Sequence, residues 1–386
     1  MGQRLSRLRD EMQSRGIDAM LVTCEINQSW CCGFDYTDGY LLVCSDNAYL
    51  ITDPRYIEAA KAECGAEFCC VCAPRDISQM FLQYLSDNRA RTVGIEDKEL
   101  SYYNAMRIKG MLSSYEIVPT GGMFDDLRSR KDAEECALIK KAQQITDAAF
   151  THILGYIKEG VTETDIAIEL EFFMRRMGAS ARSFDFIVAS GSASSRPHAV
   201  PRSIPIQRGF LTMDIGCIYG GYCSDMTRTV VVGRADAEMK KLYSTVYEAQ
   251  RAALEFITEG VRCVDADSTA RAITEREYPG GFSHSLGHGV GRRIHEFPRL
   301  SSAAGDKRLA AGHVVTVEPG IYLEGKYGCR IEDMLIIGDG CAQNITASAK
   351  ELIEIIKYTR FMQKFENTFE KCLEKINYIL YNNIYN

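Results

Sequence analysis

The sequence predicts an N-terminal α/β domain followed by an α+β domain that contains two related halves. Its 386 residues suffice for two or three domains of about 150 residues each. In the first third of the chain, short apolar runs alternate with helical patterns, which is typical of a partly parallel sheet. In the remainder, two short stretches recur in the same order. Because one short match arises easily by chance but two in order do not, the recurrence predicts a duplicated half-domain.

Composition excludes several classes of protein. A hydrophobic fraction of 46% and a charged fraction of 25% are globular values and exclude wholesale disorder. The net charge of −7 argues against a nucleic-acid-binding protein, which needs a basic face. No apolar run reaches about 18 residues, so we expect no membrane span. The N-terminus has no apolar core of signal-peptide length, and we therefore expect a cytoplasmic protein.

The 15 cysteines are many and odd in number. A disulfide scaffold is short and has an even number of cysteines, so that class is excluded. We favour buried thiols in a reducing compartment. A zinc cluster is the alternative, but the run Cys69, Cys70 and Cys72 lacks the spacing that lets two thiolates bind one tetrahedral ion.

The predicted N-terminal domain spans residues 1–122. Residues 19–22 are an apolar run that predicts a buried strand. Two further apolar runs, 40–43 and 48–51, flank a polar turn and predict a hairpin. The proline and glycines of residues 119–122 break the pattern and predict the domain boundary. Between the hairpin and this boundary, we expect one strand at 92–95 and helices over residues 56–64, 77–85 and 102–112.

The predicted second domain spans residues 123–355 and opens with two helices. An amphipathic pattern predicts the first over residues 133–157. The second begins near Thr162, whose hydroxyl can cap the N-terminus of the helix. Asp165, three residues later, can accept a hydrogen bond in return, as in a capping box. The final residues, 356–386, form a predicted helical tail with an apolar stripe of Phe361, Phe365, Phe369, Cys372, Ile376 and Ile379. Two interpretations of the stripe stay open: a helix packed on its own domain, or a contact with a second copy or another partner.

The repeat lies inside the second domain. Residues 156–161, Tyr-Ile-Lys-Glu-Gly-Val, recur as residues 256–261, Phe-Ile-Thr-Glu-Gly-Val. Further on, Asp214 stands two positions before a glycine, and Glu318 stands in the same relation to another glycine. Two similar halves that face each other would place a shared site on their pseudo-symmetry axis.

Three histidines lie in settings that favour a function. His288 lies among the glycines of residues 287–291, which leave its imidazole accessible, and His295 follows shortly after. His198 is held between two prolines. A lone histidine is usually structural. The carboxylates of the same domain therefore decide the interpretation.

Four carboxylates lie at the ends of predicted strands: Asp214, Asp225, Glu318 and Glu332. Buried carboxylates are costly unless they are paired or bound to a cation, and four near one histidine repel one another without metal. Their charge matches two divalent cations, which can activate water and polarise a carbonyl oxygen for amide hydrolysis. Oxygen-rich ligands with one imidazole suit Mn²⁺, Co²⁺, Fe²⁺ or Zn²⁺. Unrelated acids at strand ends are the alternative, which the repeat-related pairing disfavours.

This set of residues resembles the pita-bread metallopeptidases, a family that includes Xaa-Pro aminopeptidase, prolidase and methionine aminopeptidase. The resemblance covers the second domain and is carried by an ordered series of stretches: residues 183–185, 198–201, 213–216, 223–229, 285–291, 317–322 and 330–333. Residues 33–40 resemble the N-terminal domain of the proline-specific branch. The resemblance therefore implies a creatinase-like N-terminal domain and a pita-bread catalytic domain with a pseudo-twofold duplication.

The resemblance also implies a ligand set for two divalent ions, with Mn²⁺ expected. All five family ligands are matched, by Asp214, Asp225, His288, Glu318 and Glu332. Of these, Asp225 and Glu332 would bridge the two ions.

Four residues match catalytic positions of the family. Glu318 would handle protons in addition to its role as a ligand. His198 and His295 would bind the substrate and stabilise the transition state, and Arg330 matches an arginine behind the ligands.

The expected function is an Xaa-Pro aminopeptidase, a dinuclear-metal exopeptidase that hydrolyses the bond before a proline at the second position of a peptide. We expect it to be a homodimer. The alternatives are an Xaa-Pro dipeptidase (prolidase), an inactive binding module of the same fold, and a metal-free hydrolase resembling creatinase. The last two are disfavoured because no ligand is lost. Two departures from the family, Pro54 and Cys329, coincide with no ligand.

Overall fold

The computed structural model describes residues 2–356, which form two compact units. The first ends at Arg130 and the second begins at Lys131. Apart from Ile356, the predicted tail of residues 356–386 lies outside the described residues, so its apolar stripe stays a prediction. Within residues 2–356, every helix is too short or too polar to cross a membrane.

The first unit is a mixed sheet with helices on both faces. Its elements are, in chain order, α1 (Gly2–Ser14), β1 (Ala19–Val22), α2 (Glu25–Cys32), β2 (Gly39–Cys44), β3 (Ala48–Thr52), α3 (Ile57–Glu63), β4 (Phe68–Cys72), α4 (Ile77–Asp87), β5 (Thr92–Ile95), α5 (Tyr102–Met111), β6 (Glu116–Pro119) and α6 (Met123–Ser129). The strand order is β4-β3-β2-β1-β5-β6. Strand β1 runs antiparallel to β2 and parallel to β5. The predicted α/β domain is confirmed.

Strand β1 is buried on both faces, as its continuous apolar run predicts. Alternate side chains point to opposite faces of a strand. Accordingly, Met20 packs with Leu8 of α1, whereas Leu21 packs with Phe81 of α4 on the other face. The predicted hairpin is also confirmed, with Leu41 of β2 opposite Leu50 of β3.

The cysteine-rich run of the first unit forms strand β4 at the edge of the sheet. Cys69 and Cys72 are exposed there, and Cys70 is half-buried. Neighbouring side chains of a strand point to opposite faces, which separates Cys69 from Cys70. Strand structure therefore accounts for the different exposure of the cysteines in this run.

Helix α6 belongs to the first unit. Its Met123 and Leu127 lie in the same core as Trp30, whose ring meets Phe124 edge-on at a centroid distance of 6.3 Å. The compact unit therefore ends beyond the predicted boundary at residue 122. The reason is that the glycine pair before α6 is a turn within the unit and not its end.

The second unit has two helix pairs, and each pair precedes a group of strands. Its elements are α7 (Ala133–Tyr156), α8 (Glu163–Arg176), β7 (Ala181–Arg182), β8 (Ile187–Ser190), a 3₁₀ helix (Gly191–Ser195), β9 (Gly209–Ile215), β10 (Cys217–Tyr219), β11 (Tyr222–Cys223), β12 (Met226–Val232), α9 (Ala237–Phe256), α10 (Cys263–Glu277), β13 (Gly287–Gly289), β14 (Glu296–Leu300), β15 (Val314–Val317), β16 (Gly320–Leu323), β17 (Tyr327–Arg330), β18 (Asp333–Ile337), β19 (Ala342–Asn344) and β20 (Glu354–Ile355).

The two halves of this unit repeat one pattern of strand pairing. In the first half, β9 pairs antiparallel with β12, and the small hairpin β10–β11 is inserted between them. In the second half, β15 pairs antiparallel with β18, and the hairpin β16–β17 is inserted in the same way. The predicted internal duplication is confirmed.

Helix α8 begins with the predicted capping box. The backbone N–H of Asp165 donates to Oγ1 of Thr162 at 3.0 Å, and the backbone N–H of Thr162 donates to Oδ2 of Asp165 at 2.9 Å. Both groups would otherwise lack a partner within the helix, since the first turn has no preceding carbonyls.

Replacing Thr162 with alanine should lower the free energy of unfolding by about 1 kcal/mol, because the cap is lost while the helix remains. Urea denaturation followed by circular dichroism measures this change. As a matched control, Thr151→Ala at an exposed position of α7 should change it by less than about 0.5 kcal/mol. Equal effects of the two substitutions would contradict a role of the cap in stability.

Candidate active site

The second unit contains a cavity of about 720 Å³. Every site residue that the sequence predicts lies on its wall: Asp214, Asp225, His288, Glu318, Glu332, His198, His295 and Arg330. The volume is in the range of small-molecule and peptide sites.

The strand pairing explains why the four carboxylates meet. Asp214 lies near the end of β9, and Asp225 immediately precedes β12, the partner of β9. Glu318 immediately follows β15, and Glu332 immediately precedes β18, the partner of β15. In an antiparallel pair the end of one strand lies beside the start of the next. Each half therefore delivers two acids to one end of its strand pair.

His288 lies on β13 and points into the same cluster. Its Nε2 is 3.5 Å from Oδ2 of Asp225 and 3.4 Å from Oε1 of Glu318. Its Nδ1 lies 3.1 Å from the carbonyl oxygen of Gly289, which fixes the proton on Nδ1. Burial lowers the pKa of His288 to about 3, so the ring is neutral and Nε2 presents a lone pair.

The carboxylates carry a strong electrostatic penalty without a cation. Burial, and then the charges of Glu332, Asp214 and Glu318, raise the pKa of Asp225 well above its ordinary value. Burial, and then the charges of Glu318 and Asp214, raise the pKa of Glu332 in the same direction. Burial raises the pKa of Glu318 to about 8. The cluster therefore holds protons that a divalent ion would displace.

Two observations fit this cluster to a metal ion. The ligand atoms of Asp225, His288 and Glu332 lie within 4.8 Å of one another. Oδ1 of Asp214 is buried with no hydrogen-bond partner among the described residues, which is costly for a carboxylate oxygen in the absence of a cation.

Arg330 connects the two halves of the cluster. Its Nη2 donates to Oδ2 of Asp214 at 2.6 Å, and its Nε donates to Oγ1 of Thr227 at 2.9 Å. The Thr227 hydroxyl in turn donates to Oε2 of Glu332 at 2.7 Å. A buried guanidinium thus orients one acid from each half, one directly and one through a hydroxyl.

His284 and Tyr322 extend this network, and the sequence reasoning did not single out either of them. Nη1 of Arg330 donates to Oη of Tyr322 at 2.7 Å, and Nε2 of His284 lies 2.9 Å from the same oxygen. Burial lowers the pKa of His284 to about 3, so the ring is neutral. His284 immediately precedes the stretch 285–291, but its contact with a tyrosine 38 residues away has no signal in the sequence.

The two other predicted histidines lie on the open side of the cavity. The ring of His295 meets that of His288 edge-on at a centroid distance of 4.4 Å, and burial lowers the pKa of His295. His198 is exposed on the wall. Arg299, which sequence reasoning also missed, lines this side and lies opposite His288 in the β13–β14 pair. Arg299 occupies an exposed position in the alternating burial of β14, and this position is its only signal in the sequence.

Comparison with known proteins assigns the chain to a family. Residues 137–339 match the model of metallopeptidase family M24, and residues 4–130 match the creatinase/prolidase N-terminal domain. The chain belongs to metallopeptidase family M24. This assignment confirms the predicted family, the creatinase-like and pita-bread fold, and the metallo-exopeptidase class. The family is metal-dependent, which agrees with the ligand cluster.

Three relatives illustrate the similarity of this M24 metallopeptidase to known proteins. The structure of an Xaa-Pro dipeptidase from Bacillus anthracis has a TM-score of 0.87 and 39% identity, and the match covers 91% of this chain and 99% of that one. The X-Pro aminopeptidase structure from Thermotoga maritima has a TM-score of 0.83 and 34% identity, with 88% and 98% covered. An Xaa-Pro dipeptidase of Pyrococcus furiosus is 36% identical, with 92% of this chain and 100% of the relative covered.

The raised pKa values predict how the stability of the metal-free metallopeptidase depends on pH. Asp225, Glu318 and Glu332 hold protons in the folded protein that the unfolded chain releases above about pH 5. Stability should therefore fall as the pH rises from about 7 to 8, by up to about 1.4 kcal/mol per pH unit for each such proton. Below about pH 7 the slope is opposed, because the fold lowers the pKa of His284, His288 and His295 while the unfolded histidines, with an ordinary pKa of about 6.5, still take up protons there.

Urea unfolding in the presence of a chelator, repeated across this pH range, measures the slope. A Glu318→Gln variant should show a shallower slope, because it removes one of the titrating groups. A stability that is flat or rises between pH 7 and 8 would contradict the proposed protonation of the cluster.

Proposed function

We propose that this M24 metallopeptidase is an Xaa-Pro aminopeptidase, which hydrolyses the bond between the N-terminal residue of a peptide and a following proline. The observation that carries the proposal is the convergence of four carboxylates, His288 and two further histidines in one open cavity. The names of the relatives with full-length similarity support the specificity for proline.

We propose that the cluster holds two divalent ions, with Mn²⁺ preferred and Co²⁺, Fe²⁺ or Zn²⁺ as substitutes. The ligands would be Asp214, Asp225, His288, Glu318 and Glu332. Two divalent charges balance four carboxylates, and the predominance of oxygen ligands favours Mn²⁺ among these metals. When bound, such a pair of ions supplies an activated water and polarises the carbonyl oxygen of the substrate.

The proton transfers are assigned to Glu318. Its Oε1 accepts a hydrogen bond from Oγ1 of Thr316 at 3.2 Å, which orients the carboxylate toward the cavity. A proline nitrogen is a poor leaving group unless it receives a proton as the C–N bond breaks. Glu318 would accept a proton from water and deliver it to that nitrogen.

The histidines and Arg330 have different tasks. His295 and His198 stand on the solvent-accessible wall, where a ring N–H can donate to the carbonyl oxygen on which negative charge develops. Arg330 does not need to touch the substrate. Its hydrogen bond to Asp214 and its link through Thr227 to Glu332 keep the ligands in position.

A prolidase that acts on dipeptides is the second candidate, and Arg299 favours it. In an Xaa-Pro dipeptide the proline itself carries the C-terminal carboxylate. A guanidinium is the best partner for that group. Arg299 lines the cavity beside His295 and His288. In contrast, the exposed apolar residues Ile168 and Val200 on the same wall suit a peptide that continues beyond proline. An inactive binding module is disfavoured because the ligand cluster is complete.

Removal of metal should abolish cleavage of an Xaa-Pro peptide, and Mn²⁺ or Co²⁺ should restore it. Glu332→Ala should reduce kcat by at least about 1000-fold, because it removes a ligand that both ions would share. Release of proline-containing product, measured by chromatography, reports both results. Glu324→Ala, an exposed acid on the β16–β17 hairpin, is the matched control and should retain full activity. Cleavage that survives chelation would refute the proposal.

The role of Arg299 distinguishes the two candidate substrates. In a dipeptidase, Arg299→Gln should raise KM for an Xaa-Pro dipeptide about 10- to 100-fold, the value of a charge-assisted hydrogen bond. The same change should affect an Xaa-Pro-Yaa tripeptide little. Arg182→Gln is the control, since Arg182 also lines the cavity but is paired with Asp185 at 2.6 Å. A dipeptide rate unaffected by Arg299→Gln, with efficient tripeptide cleavage, would favour the aminopeptidase.

A further inference from the structure

One loop of the second unit carries two groups that act at the candidate active site. This His295 loop, residues 290–295, joins β13 to β14. It carries the ring of His295, whose centroid lies 4.4 Å from that of His288. The backbone of Ile294 is also in hydrogen-bonding contact with the His288 ring. The loop thus places a substrate-facing histidine and supports a metal-facing one.

A buried ion pair closes the base of this loop. Nζ of Lys131 lies 3.0 Å from Oε2 of Glu296, and their side chains are only 1% and 2% exposed. The other oxygen, Oε1 of Glu296, accepts a hydrogen bond from the backbone N–H of Arg293 at 3.1 Å. One carboxylate therefore spans the turn of the loop and binds a lysine outside it.

The surroundings of the pair restrict its position. The backbone N–H of Lys131 donates to the carbonyl of Gly312 at 2.8 Å, which anchors the lysine to the segment before β15. A Cβ at Gly291 would overlap Oε2 of Glu296 and crowd Cε of Lys131 at 2.9 Å. Gly291 therefore leaves the space that the ion pair fills.

The loop is also tied to the ligand-bearing segment of the other half. The backbone N–H of Cys223 donates to the carbonyl of Gly291 at 2.8 Å, and Asp225 follows two residues later. A shift of the loop would thus disturb His295, His288 and the backbone that leads to Asp225 together.

We propose that the Lys131–Glu296 ion pair is a positioning device that holds the His295 loop in the geometry required for metal binding and catalysis. The proposal rests on the proposed function for its catalytic part, but its metal-binding part can be tested separately. Neither side chain lines the cavity, so the pair acts through the loop and not on the substrate. Supporting groups around metal ligands affect metal affinity or activity about 10- to 100-fold.

The first test uses the metal-free full chain and Co²⁺ alone. Glu296→Gln and Lys131→Met should each weaken Co²⁺ binding about tenfold and alter the visible absorption of bound Co²⁺, because the His288 ring loses its support. The double variant should lose about as much as either single one, since both changes disable the same device. Unchanged Co²⁺ affinity and absorption in folded variants, or fully additive losses, would overturn the proposal.

The second test uses the Mn²⁺-loaded protein and the peptide Ala-Pro-Ala. The single variants should lower kcat about 10- to 100-fold and change KM little, because the pair does not touch the substrate. A rise in KM at constant kcat would overturn the positioning role. If the unmodified protein does not cleave this peptide, the proposed function is wrong. The Co²⁺ measurements then still decide whether the ion pair positions the metal ligands.

Two further variants separate positioning from loss of stability. Ile153→Ala, in the core under α7, should lower the unfolding temperature but leave Co²⁺ affinity unchanged. Glu296→Asp keeps the charge, but its shorter side chain cannot reach both Lys131 and the Arg293 N–H, so we expect a partial loss of Co²⁺ affinity. It also serves as the test if Glu296→Gln does not fold. Full Co²⁺ affinity in both Glu296→Asp and Glu296→Gln would overturn the proposal. So would a loss of Co²⁺ affinity in Ile153→Ala as large as the loss in the Glu296 variants.

Discussion

The repulsion among buried carboxylates is the constraint on which the second unit depends. Asp225 and Glu332 are almost entirely buried beside each other, and their raised pKa values record how unfavourable this is without a cation. Folding must therefore force the acids together against their own charge. Rigid strand pairs, fixed by apolar packing, can supply that force.

Arginines buried beside the acids reduce the cost of this arrangement. Arg330 donates directly to Asp214. Arg228, also buried, donates to the backbone carbonyl of Glu332 and to Oδ1 of Asp333. The two guanidinium groups bind the acids and their backbone but leave the cavity side of the cluster open. The two arginines therefore offset part of the negative charge of the cluster and do not fill the space that a divalent ion requires.

Much of the fold and most of the candidate site could be predicted from the sequence. Apolar runs predicted β1 and the β2–β3 hairpin because local periodicity follows directly from which faces are buried. The repeat predicted the pairing of acids, since equivalent positions of two similar halves carry them. The end of the first unit was harder to predict from the sequence. The glycines before α6 indicate a turn, but they do not show whether the next helix packs on the preceding unit or on the following one.

The residues that sequence reasoning missed share one physical property. His284 acts through Tyr322, and Arg299 reaches the cavity from a strand edge, so each depends on a contact between distant segments. No local pattern encodes such contacts. A residue that binds an ion leaves a signature of charge in an apolar run, whereas a residue that orients a neighbour can be of any polar type.

The inserted hairpins of the two halves have a consequence for dissection of the molecule. Each half ends a strand at one acid, makes its hairpin and returns at the second acid, so each holds only two of the four carboxylates. A fragment that ended after β12 would carry Asp214 and Asp225 as two acids at the margin of an open sheet, where water screens them. High affinity for a cation would then appear only on reassembly with the complementary fragment. The site therefore exists only where the two halves meet.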